Sequence, residues 1–206
     1  KINSHKTDSL ICLVPSDKKY KIGLIAGINK KVLKSPFSAP FGGFHFNNNR
    51  IYYNYIHNFI KALKQFIIEE YLGIDISMPP DFYHYSINTK CIHSMICADF
   101  TLGIPEINNW IDLNYYDGNY PDQQVKRNLI KSTNSLAFSS ISDTNDKEKC
   151  FKIIVDNRKR LNRSIHMDFE DVLQMAAIIP IDFFWVKEKK NVVSSAISYR
   201  MNNNIV

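Results

Sequence analysis

The chain has 206 residues, enough for one large domain or two small ones, and a formal net charge of +6. Hydrophobic residues make up 45% and charged residues 22%, so the composition is globular and excludes a disordered chain. Most of the basic excess lies in residues 121–206, which hold 14 basic and 10 acidic groups. It has two interpretations, an ordinary protein surface and an attraction for phosphate-bearing ligands.

The first predicted element is a β-hairpin. Residues 9–14 and 20–28 are short apolar segments separated by turn-forming residues. A loop is predicted at 35–44, because two prolines and adjacent glycines rule out a regular helix there. The strongest helix pattern runs from 52 to 72, where apolar residues recur every three or four positions. Strands are predicted next, at 74–78, 92–100 and 110–114.

Helices dominate the next part of the chain. Pro121-Asp122 predicts the start of a helix over 122–134, and the apolar spacing predicts a third helix from Phe151 to Leu161. A fourth helix is predicted at 169–178, with Asp168 as its N-cap.

The last segment has the pattern of antiparallel β-structure. Strands are predicted at 183–187 and 192–201, with a turn at 189–191 between them. Asn202-Asn203-Asn204 predicts another turn, and Ile205-Val206 predicts the start of a third strand. The whole order of elements predicts a mixed α/β protein of the α+β class.

A polar stretch from Ser139 to Lys147 interrupts the apolar spacing. It predicts a boundary between a first domain, 1–145, and a second, 146–206. The four cysteines form no CxxC pair and lie in apolar stretches, which favours buried free thiols in a reducing compartment. Without an apolar run of about 20 residues or a signal-peptide pattern, the sequence predicts a cytoplasmic protein that binds no membrane. The scattered histidines predict no metal site.

The segment Phe41-Gly42-Gly43-Phe44 is the first candidate for ligand binding. Adjacent glycines let backbone N–H groups approach a ligand, and the flanking aromatic rings can wall a pocket. A tight turn between a strand and a helix needs the same glycines, so both interpretations stay open.

Two basic groups supply the other candidates. Arg127 and Lys131 are four residues apart on one helix face, where they can hold a phosphate or carboxylate or form a solvated surface. Arg158 and His166 flank a helix–loop–helix connection, where they can line a substrate cleft. The alternative is that Arg158 pairs with Asp156 or Asp182 and that His166 packs in the loop.

The order of these segments resembles the FemABX-like branch of the GNAT acyltransferase superfamily. The matching pieces are Trp110-Ile111-Asp112-Leu113, the pattern Arg127-Asn128-x-x-Lys131, and the helices and strands from Phe151 to the last strand. The loop 35–44 is similar to a loop of the first repeat in such proteins. The resemblance covers about residues 9–206, and its motifs are diffuse.

The resemblance implies two GNAT-like units, each a mostly antiparallel sheet flanked by helices, with the second unit incomplete in this chain. It implies transfer of an acyl group from acyl-CoA, or of an aminoacyl group from aminoacyl-tRNA, to a small-molecule or peptide-like amine. Such a reaction needs positioning of the two reactants and donors for the developing oxyanion. Tyr199 and Asp182 are candidates for the general base, and neither is preferred.

One departure from the family pattern is large. The pyrophosphate signature Gln/Arg-x-x-Gly-x-Gly/Ala, whose amides bind phosphate at a helix N-terminus, is missing, since no glycine follows Gly118. We therefore expect a piece of a longer enzyme, a non-catalytic binding module that has lost the phosphate loop, or a cofactor site that another subunit supplies. We also expect the edge of the last strand to be covered by further residues or by a second copy of the chain. Binding of tRNA is a third and weaker hypothesis that rests on the net charge.

Overall fold

The computed structural model describes residues 3–16, 20–120 and 122–201. The chain is a mixed α/β protein that divides into an N-terminal unit, Asn3–Trp110, and a C-terminal unit that begins at Ile111. This division falls well before the predicted boundary at 145/146. No division falls at 145/146 because the strand Ala137–Ile141, which overlaps the polar stretch, pairs with a later strand of the C-terminal unit.

The N-terminal unit contains one five-stranded sheet in the order β1-β2-β3-β5, with β4 also paired to β2. The predicted hairpin of the first two strands is confirmed, and all pairs are antiparallel except β3 with β5. A short 3-10 helix, Ser4–Lys6, precedes the sheet. The strands are β1 (Ser9–Leu13), β2 (Ile22–Asn29), β3 (Val32–Ser35), β4 (Phe44–Phe46) and β5 (Gly73–Ile76).

The predicted long helix is confirmed as α1, Tyr53–Glu70. It lies between β4 and β5 in the chain, and it provides the crossover that a parallel pair such as β3 and β5 requires. Its apolar face is buried against β2, β4 and the following helix. The buried residues of that face are Ile56, Phe59, Ile60, Leu63 and Ile67.

The predicted strand at 92–100 is wrong, because these residues belong mostly to a second helix, α2, Asp81–Cys97. Ile87, Cys91 and Ser94 are all buried on this helix, at the spacings of three and four that place residues on one helical face. That face packs on α1. The predicted strand at 110–114 is also wrong: no regular strand forms there, and Trp110, Ile111 and Leu113 are 60–67% exposed.

The C-terminal unit contains a three-stranded antiparallel sheet in the order β6-β7-β8. The three predicted helices and the final hairpin of this unit are confirmed. Strand β6 and the start of α4 occupy most of the polar stretch that predicted a domain boundary. The elements are α3 (Gln123–Ser135), β6 (Ala137–Ile141), α4 (Thr144–Arg160), α5 (Phe169–Ala176), β7 (Ile181–Glu188) and β8 (Asn191–Tyr199).

The core of this unit joins α4 and α5 to the inner face of β7. Phe183 and Trp185 alternate inward along β7, and Cys150 and Phe151 of α4 pack with them. Asp168 caps α5 as predicted, since its carboxylate accepts the Asp171 N–H at 2.8 Å. The Asp171 carboxylate accepts the Asp168 N–H in return, which completes a capping box.

Some sequence predictions fall outside the described residues: the helix-opening Pro121, the turn at Asn202–Asn204 and the strand start at Ile205-Val206. Within the described part, β8 pairs with β7. The covering of its other edge by a second chain stays a prediction. Among the described helices, none combines the length and the apolar character needed to cross a membrane.

The α1 face provides a test of the fold. Ile60 is fully buried, whereas Ile68 on the same helix is 64% exposed. We expect Ile60→Ala to lower the free energy of unfolding by about 2–5 kcal/mol, through lost transfer energy and the cavity left behind. Ile68→Ala should change it by less than about 0.5 kcal/mol. Urea unfolding measures both, and equal effects would contradict the packing of α1.

Candidate functional site

The Gly42-Gly43 turn is built into the sheet by its own amide groups. The Gly42 N–H donates to the Ser77 carbonyl at 2.8 Å. The Gly43 N–H donates to Ser35 Oγ at 3.0 Å, and that hydroxyl donates to the Ile25 carbonyl at 2.8 Å. Both amides that the sequence suggested for ligand binding are therefore occupied by bonds that join the turn to the strands.

Close packing explains why both turn residues are glycines. A Cβ at Gly42 would lie 2.7 Å from the backbone nitrogen of Pro36, closer than side chains pack. Gly43 has φ of +88°, and a Cβ there would lie 3.0 Å from Met78 Sδ. The geometry therefore favours the tight-turn interpretation of this segment.

The two flanking phenylalanines lie in different surroundings. Phe44 is in the core, where its ring meets the Phe59 ring edge-on at a centroid distance of 6.1 Å. Phe41 is half-buried, and its ring lies 4.8 Å from the Tyr83 ring. Tyr83 in turn stacks on Phe82, so that Phe41 belongs to a row of aromatic rings at the surface of the N-terminal unit. Only Phe41 of the pair remains placed to meet a ligand.

Arg127 and Lys131 lie on α3, where both side chains are exposed. The described residues of α3 include no buried side chain, although Val125, Leu129 and Ile130 are apolar. The two basic groups thus share a solvated helix face, and their binding of an anion stays a prediction.

Arg158 lies in the last turn of α4, next to Lys159 and Arg160, and its side chain is exposed. Cations are favourable at this end of a helix, where the carbonyl dipoles point outward. Asp182, suggested as a partner of Arg158, pairs instead with Arg200, whose Nε lies 2.8 Å from the carboxylate. The C-terminal end of α4 is therefore a concentrated basic surface.

His166 lies in the connection between α4 and α5. Its ring is exposed, and Nε2 lies 3.0 Å from Ser164 Oγ. Arg158 and His166 therefore flank one connection of the C-terminal unit, as the sequence suggests. The turn Phe41–Phe44 belongs to the N-terminal unit, so the predicted site residues are divided between the two units.

Tyr199 and Asp182 differ in their capacity for proton transfer. The Tyr199 hydroxyl contacts Met167 Sδ at 3.7 Å, and burial raises the pKa of this phenol. A phenol of raised pKa keeps its proton at neutral pH, which makes Tyr199 a poor candidate for the general base. Asp182 is held in the ion pair with Arg200.

An open apolar groove of about 430 Å³ runs along α1 beside the end of β1. Aromatic and aliphatic side chains form most of its wall, which suits an apolar group. The lining residues are Leu13, Val14, Pro15, Ser16, Tyr55, Asn58, Phe59, Ala62, Leu63 and Phe66.

The structure also brings together a polar cluster that was not among the predicted site residues. It is formed by Tyr53 and His57 of α1 with His93, Ser94 and Cys97 of α2. His57 Nδ1 lies 2.9 Å from Ser94 Oγ, and His93 Nε2 lies 3.5 Å from Cys97 Sγ. The Tyr53 ring stacks on His57 and contacts His93, each at a centroid distance of 5.5 Å.

Within this cluster, the pKa of the Tyr53 phenol is raised above its ordinary value. Burial and then the adjacent Cys97 sulfur raise the pKa of the Tyr53 phenol, while a hydrogen bond with Ser94 lowers it. The phenol is thus a proton donor at neutral pH, close to a thiol and two imidazoles.

A signal for the cluster was present in the sequence. Tyr53 and His57 are four residues apart, as are His93 and Cys97, which is the spacing of neighbours on a helix. The prediction of a strand at 92–100 left this pairing unnoticed. In a strand, residues four apart are separated by about 13 Å and their side chains do not meet.

No group of three or more metal-ligating side chains occurs among residues 3–16, 20–120 and 122–201. Comparison with protein-family models, with curated proteins and with solved structures finds no significant match to this chain.

The glycine turn can be tested by substitution. We expect Gly43→Ala to lower the free energy of unfolding by about 1–3 kcal/mol, because alanine is strained at a φ of +88°. Gly73→Ala is the matched control, since a Cβ there meets nothing within 4 Å. Its effect should be smaller than about 1 kcal/mol in either direction. Thermal unfolding compares the two, and a Gly43→Ala variant as stable as the control would rule out this turn geometry.

Proposed function

We propose that the chain is an N-acyltransferase of the FemABX/GNAT class, acting on an amine acceptor. The observation that supports this proposal most is the order of elements in the C-terminal unit. Helices α4 and α5 are followed by the antiparallel hairpin β7–β8, as the resemblance implies for the second repeat. Strand β6, which precedes α4, pairs with β7 in the same antiparallel sheet.

Acyl transfer to an amine requires a proton for the leaving thiolate or alkoxide. A half-buried phenol that keeps its proton at neutral pH suits this role. Tyr199 is such a phenol: it is half-buried in β8, and its raised pKa keeps the proton on the oxygen. We therefore assign proton donation to Tyr199 and leave no such role to Asp182, which Arg200 holds in an ion pair.

The donor proposed for this reaction carries phosphate, as acyl-CoA and aminoacyl-tRNA both do. The support is electrostatic: Arg158, Lys159 and Arg160 occupy the exposed last turn of α4. Clustered arginines can bind phosphate oxygens through paired N–H groups. This surface would contribute to donor binding in place of the missing glycine-rich signature.

A non-catalytic binding module is the second candidate function. It is favoured by the Gly42-Gly43 turn, whose two amides are bonded to Ser77 and Ser35 and so are not available to an oxyanion.

Calorimetric titration with acetyl-CoA tests the two candidates against each other. For an acyltransferase we expect saturable 1:1 binding that weakens as salt is raised, since phosphate contacts are screened. The triple variant Arg158→Ala, Lys159→Ala, Arg160→Ala should weaken it by about tenfold or more. Lys189→Ala with Lys190→Ala, in the exposed turn between β7 and β8, serves as a charge-removal control away from α4. No detectable binding of acetyl-CoA would favour the non-catalytic module, and binding of an aminoacyl-tRNA instead would identify the other donor.

The role of Tyr199 has its own test. We expect Tyr199→Phe to lower kcat for acyl transfer by about 10²-fold or more, because general-acid catalysis typically contributes 10²–10⁴. Binding of acetyl-CoA should be unchanged, because the ring remains. Tyr115→Phe, at a residue that is 87% exposed, controls for loss of a phenol. An unchanged kcat would remove Tyr199 from the mechanism while leaving the binding result intact.

A further inference from the structure

Two of the four cysteines, Cys12 and Cys97, are exposed, and their surroundings differ. Cys97 ends α2, and its sulfur lies 3.5 Å from His93 Nε2. Cys12 lies in the middle of β1, where its partner across the sheet is the apolar Ile25. The N-terminal unit therefore holds a thiol with an adjacent base and a second exposed thiol for comparison.

The groups around Cys97 suit its use as a nucleophile, because a base lies 3.5 Å from the sulfur. An imidazole within reach of a thiol can take its proton and then stabilise the thiolate as an imidazolium. The Tyr53 phenol keeps its own proton and lies against the sulfur, so it can donate to the thiolate.

The position of Cys97 at the C-terminal end of α2 has two opposing effects. A helix C-terminus is an unfavourable place for an anion, but it leaves His93, one turn earlier, beside the sulfur as a proton acceptor. His57 adds a second imidazole through its bond to Ser94. Beyond the helix end, Asp99 is paired with Lys64 at 2.8 Å, so its charge is largely compensated.

The remaining cysteines have structural surroundings. Cys91 is fully buried between the helices, and burial raises the pKa of its thiol to about 12. Cys150 is buried in the C-terminal unit, where its sulfur donates to the Phe184 carbonyl at 3.4 Å. Neither is placed to react with a molecule in solution.

We propose that Cys97 is a modification site that forms a mixed disulfide with low-molecular-weight disulfides. His93 accepts the thiol proton, and the Cys97 sulfur attacks one sulfur of the reagent. A new S–S bond forms, the S–S bond of the reagent breaks, and the departing thiolate takes the proton from His93. Atoms and electrons balance, with the reagent disulfide as the oxidant. This site is independent of the acyltransferase proposal.

The test uses oxidised glutathione on the full chain at pH 7, with quenching and peptide mass spectrometry to follow each cysteine. We expect Cys97 to be modified at least about fivefold faster than Cys12. His93→Gln should slow the modification of Cys97 by a similar factor. The rate at Cys12 should stay the same, and this unchanged rate serves as the control for an intact fold. At pH 9, where ordinary thiols are largely ionised, the effect of His93→Gln should shrink.

A second variant separates the phenol from the packing of its ring. Tyr53→Phe keeps the stack with His57 and removes the hydroxyl, and we expect it to slow Cys97 modification at pH 7 with no change at Cys12. Equal rates at Cys97 and Cys12 would overturn the proposal. The proposal would also fail if His93→Gln left the rate of Cys97 modification unaltered. It would fail as well if the sole product were a Cys97–Cys97 disulfide between two chains.

Discussion

Burial of the apolar face of α1 is the interaction on which the N-terminal unit depends. The parallel pairing of β3 with β5 requires a crossover, and α1 forms it. Each fully buried isoleucine on the helix, such as Ile56 and Ile60, contributes about 1.5–3 kcal/mol through the hydrophobic effect. Without this face, the sheet would expose Ile22 and Leu24, and α2 would lose the surface on which it packs.

The same packing determines where polar chemistry occurs. When α1 and α2 pack through their apolar faces, polar residues within and beside the contact are brought side by side. Tyr53 and His57 then meet His93, Ser94 and Cys97 at hydrogen-bonding and ring-contact distances. A thiol, a phenol and two imidazoles thus come together where the two helices meet. Their arrangement follows from the packing of α1 on α2.

In the C-terminal unit the sheet holds the helices through polar as well as apolar contacts. Ser195 Oγ donates to the Cys150 carbonyl at 2.8 Å, which ties α4 to β8. Trp185 Nε1 donates to Ser139 Oγ at 2.8 Å, which ties β7 to β6. These bonds satisfy polar groups near a small core, where an unpaired donor would cost about 1–3 kcal/mol. The acyltransferase proposal depends on this ordered unit, because it is the order of α4, α5, β7 and β8 that agrees with the family resemblance.

The sequence by itself determined the elements whose signals are local. The apolar face of α1, the first hairpin and the N-cap at Asp168 were predictable, because side-chain periodicity and capping act within a few residues. It did not determine residues 92–100, whose short apolar run suits a strand as well as a buried helix.

Only the tertiary structure decided that assignment, because burial of Cys91 and Ser94 against α1 requires the helical spacing. It also decided how the candidate site residues are used. The Ser77 carbonyl accepts the Gly42 N–H, and the Ser35 hydroxyl accepts the Gly43 N–H. Arg200 forms an ion pair with Asp182. These partners are distant in the chain, so no local pattern could show them. The cluster around Cys97 depends on both sequence and tertiary structure. The spacing of four residues on a helix places His93 beside Cys97, and the packing of α2 on α1 adds Tyr53.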